Sequence, residues 1–292
     1  MKKQFGSLCV ILSAILFGTM PLLAKVAYAH GSNAYTVAFG RFLFGSIILG
    51  AVIALMPGHT VRIDRRQLLE LFKLSVSYAL MPVLLYSSYN HIDSGMATTL
   101  HFTYPVAVML IMVVFCKKKL ERKQIVCAAL CLIGLALLAS PDGRVCIPGV
   151  LLAVGSGIVY AVYIVLLGQS SAKDLHALTL AFWISVFSAA EIGAVALVSR
   201  NLAFRLDAAG WAAEIAMAVF MTVFALVLFQ KGVFLCGEVK ASLLSTFEPL
   251  TGILIGVIAF HEVLTPSGFA GILSILAAAI LLVLPKAEGI GA

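Results

Sequence analysis

Glu248 and Pro249 stand in the middle of an apolar run from about Val239 to Phe260. That run is long enough to cross a bilayer. Glu248 lies about ten residues into it, roughly 15 Å at ~1.5 Å per residue. A carboxylate at that depth is destabilised by several kcal/mol unless paired or hydrated, so its first reading is functional. Desolvation favours the neutral carboxyl, so Glu248 could contact substrate or carry a coupling proton. The plainer reading is a protonated Glu bonded to a neighbouring carbonyl or hydroxyl. Pro249 has no N–H and would free the carbonyl of Ser245.

The stretch HFTYPVAVMLIM, His101 to Met112, has the same shape 144 residues earlier. Pro105 aligns with Pro249, Tyr104 replaces Glu248, and Pro105 would free the carbonyl of His101. Such carbonyls can bind a donor on a solute, or they mark packing kinks that Ser or Thr re-satisfies. Pro21 and Pro82 are further candidate kinks.

Polar and aromatic residues in other runs could line a path. Tyr78, Pro82 and Tyr86 repeat every four residues and share a helix face. Thr98, His101 and Pro105 form a second face with Tyr104 beside them. Ser156, Tyr160 and Tyr163, then Gln230, add hydroxyl and amide groups, and Trp183 could line or pack. His101 reads as a proton relay or as a hydrogen-bonded structural histidine. Arg41 and Glu191 sit at similar depths from the outer ends of their runs. They are a candidate gate pair, the alternative being a snorkelling Arg41 and a hydrated Glu191.

The chain that must position these groups has 292 residues, 62% hydrophobic and 11% charged. Soluble domains are nearer half apolar and a quarter charged. The runs are continuous rather than alternating, which selects helices over a barrel. The net charge of +7 sits in short loops, so it reports topology and not a nucleic-acid partner. The basic, apolar N-terminus resembles a signal peptide but is long enough to span, and is expected to stay as the first helix. The six cysteines form no CxxC pair; Cys127 and Cys131 read as small buried hydrophobes. No metal or cofactor is expected.

Ten spans are expected, at about 5–28, 33–56, 67–90, 95–116, 124–140, 148–168, 176–199, 210–235, 239–260 and 267–285. Lys2, Lys3, Arg62, Arg65, Arg66, Lys117, Lys118, Lys119, Arg122, Lys123, Lys173, Lys240 and Lys286 fall on one side. Arg144, Arg200 and Arg205 fall on the other. The excess of Lys and Arg marks the cytoplasmic face, so both termini are expected inside. The 144-residue offset also matches Ala97 with Ala241, Leu100 with Leu244 and Leu120 with Leu264. It covers five helices, an odd number, so the second copy enters the membrane the other way up. Residues 1–140 and 148–285 are thus expected to be inverted five-helix repeats, a transporter signature with its site near the midplane.

Together with FGTMPLLAK in helix 1, VAFGRFLFGSIIL around Arg41, and the mid-span prolines of TTLHFTYPVAVML and ASLLSTFEPLTGILIGVIAFHEVLT, this layout resembles the EamA-like branch of the drug/metabolite transporter superfamily. Glu262 resembles the family's short-loop acid, whereas the first half has Lys118 at the corresponding place. The resemblance implies a central cavity formed by helices 1–4 and 6–9, with helices 5 and 10 peripheral. It also implies movement of small metabolites, often amino acids or their derivatives and commonly outward.

The expected protein is therefore an all-α secondary carrier of the cytoplasmic membrane, working by alternating access on a small amphipathic solute. A proton is a candidate co-substrate, and a monomer is compatible with this reading. The alternative cargo is a small organic cation or drug with Glu248 as counter-ion or proton carrier. An enzyme is disfavoured: HEVLT at His261 has Thr265 where HExxH needs its second His, and no P-loop or nucleophile elbow is visible. A channel is disfavoured because no carbonyl filter or ring of acids is evident.

Overall fold

A computed structural model of the chain describes residues 2–58, 60–92, 94–138, 146–260 and 265–284, the side chains at 94–95, 253 and 256–260 apart. Glu262, His261, Arg144, Lys286 and the expected ends of helices at 140 and 285 lie outside the described residues.

The described chain is helical. Its helices fall within a few residues of the expected segments: α1 (Lys2–Phe17), α2 (Met20–Ala29), α3 (Ala34–Leu55), α4 (Arg65–Ser88), α5 (Ser94–His101), α6 (Tyr104–Val114) and α7 (Arg122–Leu138) in the first half. The second half has α8 (Ile147–Gln169), α9 (Ala177–Val198), α10 (Ala208–Met217), α11 (Val227–Cys236), α12 (Glu238–Leu244), α13 (Phe247–Phe260) and α14 (Pro266–Val283). A π-helical segment, Ala218–Leu226, joins α10 to α11.

Side-chain caps fix several starts. Asn33 accepts from the Thr36 N–H, Asp64 and Gln67 form a capping box, and Asp207 accepts from the Gly210 N–H. Each satisfies a backbone donor that a helix start leaves unpaired. Gly237, with φ of 88°, turns the chain directly from α11 into α12, a conformation that glycine adopts without a Cβ clash.

Eight helical stretches among the described residues are long and apolar enough to cross a membrane, counting α1–α2, α5–α6 and α10–α11 each as one. Large apolar side chains such as Leu110, Ile158, Val195 and Ile280 are exposed on the outside, while Arg41, Glu214, Gln230 and Glu248 are buried inside. That is the distribution expected when lipid is the solvent.

The corresponding helices of the two halves run against each other. Gly50 of α3 meets Phe182 of α9, and Phe39 meets Gly193, so these second helices of each half are antiparallel. The last helices are antiparallel too: Ser274 Oγ of α14 donates to the Leu130 carbonyl of α7, and Lys123 Nζ to the Leu284 carbonyl. All six cysteines are free; Cys127 and Cys131 are buried on α7, with Cys131 Sγ 3.6 Å from Thr246 Oγ1.

Candidate functional site

The two proline stretches are breaks between helices. The chain leaves α5 at Phe102–Thr103 and α12 at Ser245–Thr246, and resumes helix with Pro105 or Pro249 in the first turn. A proline there loses nothing, because the first N–H groups of a helix have no partner within it. Pro21 sits the same way at the start of α2, after a break at Gly18–Thr19. Pro82 differs: α4 runs helical through it.

Glu248 consequently occupies the first turn of α13, where the positive end of a helix dipole favours a negative group. The break also changes the fate of the carbonyls. Ser245 is not left free, because the Glu248 N–H reaches it at 2.9 Å in a tightened turn. The His101 carbonyl packs on Gly157 of α8, where an added Cβ would lie 2.5 Å from the oxygen. The Glu248 carbonyl packs likewise on Gly18, 2.6 Å from where a Cβ would stand. Both broken helices are thus held by backbone-to-glycine contacts across the two halves.

Around Glu248 lies a buried polar and aromatic layer. Arg41 of α3 is fully buried. Its guanidinium donates to Tyr78 Oη at 2.8 Å and Tyr86 Oη at 3.3 Å, and lies 3.7 Å from Met20 Sδ. It sits 4.7 Å from the Phe42 ring centroid, within cation–π range. Arg41 Nε has no partner among the described residues. The field of Arg41 reaches the Glu248 carboxyl.

The second half closes the layer. Tyr163 packs on Tyr78 with ring centroids 4.5 Å apart and accepts from Gln230 Nε2 at 3.1 Å. Gln230 Oε1 is buried without a partner. Tyr160 stacks on Tyr163, Phe229 and His101, and meets Tyr104 edge-on at 4.8 Å. His101 Nδ1 is 2.8 Å from Ser156 Oγ. Ser156 already donates its one proton to the Ala153 carbonyl, so His101 Nδ1 is the donor and Nε2 of the neutral ring is an acceptor. Thr98 is buried one turn before His101. Ser245, buried at the break, donates to the Ala241 carbonyl.

Two expected residues lie elsewhere. Trp183 donates Nε1 to the Val61 carbonyl at 2.7 Å and packs on Phe182 and Phe187, away from the layer. The Arg41–Glu191 gate pair does not form: Glu191 accepts from Ser75 Oγ at 2.6 Å while Arg41 faces the tyrosines. Phe39 and Gly193 meet where α3 crosses α9. Arg41 and Glu191 are each two residues from that contact, about 200° around their helices at 3.6 residues per turn, so they point apart.

Several features carried little signal in the sequence. The π segment contains neither Pro nor Gly, yet Thr222 within it donates to the Arg41 carbonyl at 3.3 Å. Glu214 is fully buried on α10 and accepts from Ser32 Oγ at 2.8 Å. Glu238 takes a hydrogen bond from Gln169 Nε2 and lies 3.6 Å from Lys118 Nζ. A cavity of about 120 Å³ beside it is lined by Lys118, Lys119, Gln124, Cys236, Glu238 and Lys240. Both acids were visible as letters, but only packing distinguishes a buried one from a solvated one.

The EamA-like transporter family matches residues 4–140 and again 147–284. An uncharacterized transporter of Archaeoglobus fulgidus is 28% identical over 94% of this chain and 94% of its own length. The uncharacterized transporter YwfM of Bacillus subtilis is 25% identical over 93% of this chain and 91% of its own. A crystal structure with 16% identity superposes with a TM-score of 0.77 over 94% of this chain and 95% of its own. The double match, one per half, makes the chain a multi-pass membrane protein of the EamA-like transporter family.

Proposed function

We propose that the protein is a secondary carrier that moves small zwitterionic solutes of the amino-acid class across the cytoplasmic membrane, commonly outward, by alternating access. The observation that carries this is the buried Arg41, whose guanidinium is held, among the described residues, only by hydroxyls, a thioether and rings, and whose Nε has no partner among them. A buried charge without a counter-charge is strongly destabilising. A substrate carboxylate at Arg41 would supply one, and Arg suits planar carboxylates. Glu248, in the same layer and within the field of Arg41, is suited to the substrate ammonium or a coupling proton. Tyr78, Tyr86, Tyr104, Tyr160 and Tyr163 would enclose the apolar part.

In this reading α7 and the α12–α13 pair complete ten spans, residues 1–140 and 148–285 are inverted repeats, and both termini face the cytoplasm. The α2, α6 and α13 segments that follow the breaks would be the parts that rock. A small organic cation on Glu248 is the second reading, favoured by the aromatic walls around that acid.

The test is counterflow in proteoliposomes with labelled amino acids and small cations. Saturable exchange of an amino acid, reduced in Glu248→Gln, is expected. Exchange of cations alone would select the second reading, and flux without counterflow would indicate a channel.

A further inference from the structure

A second acid lies outside the central layer. Glu214 of α10 is fully buried beside the turn between α2 and α3, on the face that the charge bias places outside. Its Oε1 accepts from Ser32 Oγ, 2.8 Å away, in the turn between α2 and α3. Its Oε2 has no partner among the described residues, and lies 2.5 Å from where a Cβ at Gly40 would stand. Gly40 precedes Arg41, so any larger residue on α3 would displace this carboxyl.

One hydroxyl donor does not stabilise a buried carboxylate, whose ionised form needs pairing or several donors. No ion pair to Glu214 forms among the described residues. The tyrosines whose environment includes it are Tyr28 and Tyr86, and neither brings a positive charge. Of the elements packed on α10, α2 also carries Lys25, with His30 at its C-terminal cap, and α3 carries Tyr35 and Arg41; the π segment carries no titratable residue. His30 is engaged by Asp207 at 2.7 Å, Arg41 is turned toward Tyr78 and Tyr86, and Lys25 is exposed.

We infer that Glu214 is a second proton-binding site, protonated while the α2–α3 turn is closed over α10 and releasing its proton to outside water when that turn separates. The Ser32 hydroxyl and the Gly40 backbone form its closed-state cradle. The proton bound there opposes separation, so the site ties outer opening to external pH. Tyr28, which donates from α2 to the Tyr86 carbonyl at 3.0 Å, links the same closure to the tyrosines around Arg41. This inference rests on the alternating-access reading, but its tests need no substrate, so a failed transport assay would leave it standing.

Infrared spectra of the full-length protein in nanodiscs would be compared between Glu248→Gln and Glu248→Gln/Glu214→Gln at neutral pH. A protonated-carboxyl band present in the first and lost in the second is expected; identical spectra would overturn the inference. Should the double variant fail to fold, Trp211 reports instead, three residues before Glu214 and packed on Phe44. With Trp183→Phe as background, acrylamide quenching of Trp211 should rise in a step as external pH is raised. A flat trace would overturn the inference as well.

Discussion

Arg41 on α3 and Glu248 in the first turn of α13 are the guanidinium and the carboxyl of one buried layer, drawn from different halves of the chain, and the field of the guanidinium reaches the carboxyl. Tyr78 and Tyr86 take the hydrogen bonds of Arg41. The layer therefore presents a guanidinium end and a carboxyl end between aromatic walls.

Substitutions at the two ends should separate by substrate chemistry. Arg41→Lys keeps the charge but loses the planar fork that spans Tyr78 and Tyr86. Counterflow of an amino acid should fall by about tenfold, or ~1.4 kcal/mol, while the matching amine without a carboxylate is affected little. Glu248→Gln should impair both compounds. An Arg41→Lys variant that lowers the two equally would remove the carboxylate role.

The glycine beneath Glu248 should resist substitution. A Cβ at Gly18 would stand 2.6 Å from the Glu248 carbonyl oxygen and 2.5 Å from Thr251 Cβ. Overpacking of this kind costs about 1–3 kcal/mol, so Gly18→Ala should lower the thermal midpoint in detergent. Gly252→Ala is the control, because its Cβ would meet the Gly18 carbonyl at an ordinary 3.7 Å. Equal midpoints for the two variants would show that the α1–α13 crossing has slack.

Much of this was legible in the letters, for stated reasons. Apolar run length gave the helices, because a helix in lipid must satisfy its own backbone. Pro21, Pro105 and Pro249 marked three breaks, because proline removes a donor wherever it falls. All four prolines, Pro82 included, read as kinks; α4 continues through Pro82, whereas the other three stand at breaks, because a proline shows that one hydrogen bond is missing and not whether the helix stops. Tyr78, Tyr86, His101, Tyr160 and Tyr163 were found from polarity in apolar runs. The partners were not. Arg41 and Glu191 shared a depth, but rotation about each helix decides which neighbour a side chain meets. Glu214 carried no motif or spacing that marked it; only packing on Ser32 and Gly40 shows that it is buried.

Acid should weaken the outer turn through Asp207. The Gly210 N–H and the His30 side chain hold its carboxyl below its ordinary value of 3.8. A depressed carboxyl contributes stability that is present above its unfolded value and lost as pH falls through the folded one. The wild-type midpoint should therefore drop on acidification below about pH 4 more steeply than that of Asp207→Asn, which retains a capping oxygen. Parallel pH profiles in differential scanning fluorimetry would show that the His30–Asp207 contact contributes nothing in solution.

The Lys118–Glu238 contact should hold the opposite face closed. Lys118 follows α6 in the first half, and Glu238 begins α12 in the second, where Gln169 at the end of α8 also binds it. Glu238 is nearly buried while Lys118 is half exposed, so the ion pair by itself contributes at most about 1 kcal/mol. Its position matters more than its strength, since it joins segments that must separate for this face to open. Cys236 lines the cavity beside it and is a free thiol. Maleimide labelling of Cys236, followed by peptide mass mapping, should be several-fold faster in Lys118→Glu than in wild type. Adding Glu238→Lys should slow it again by restoring opposite charges. Labelling that stays fast in the double variant would mean that packing around Gln169 and Gly168, rather than charge, closes this face.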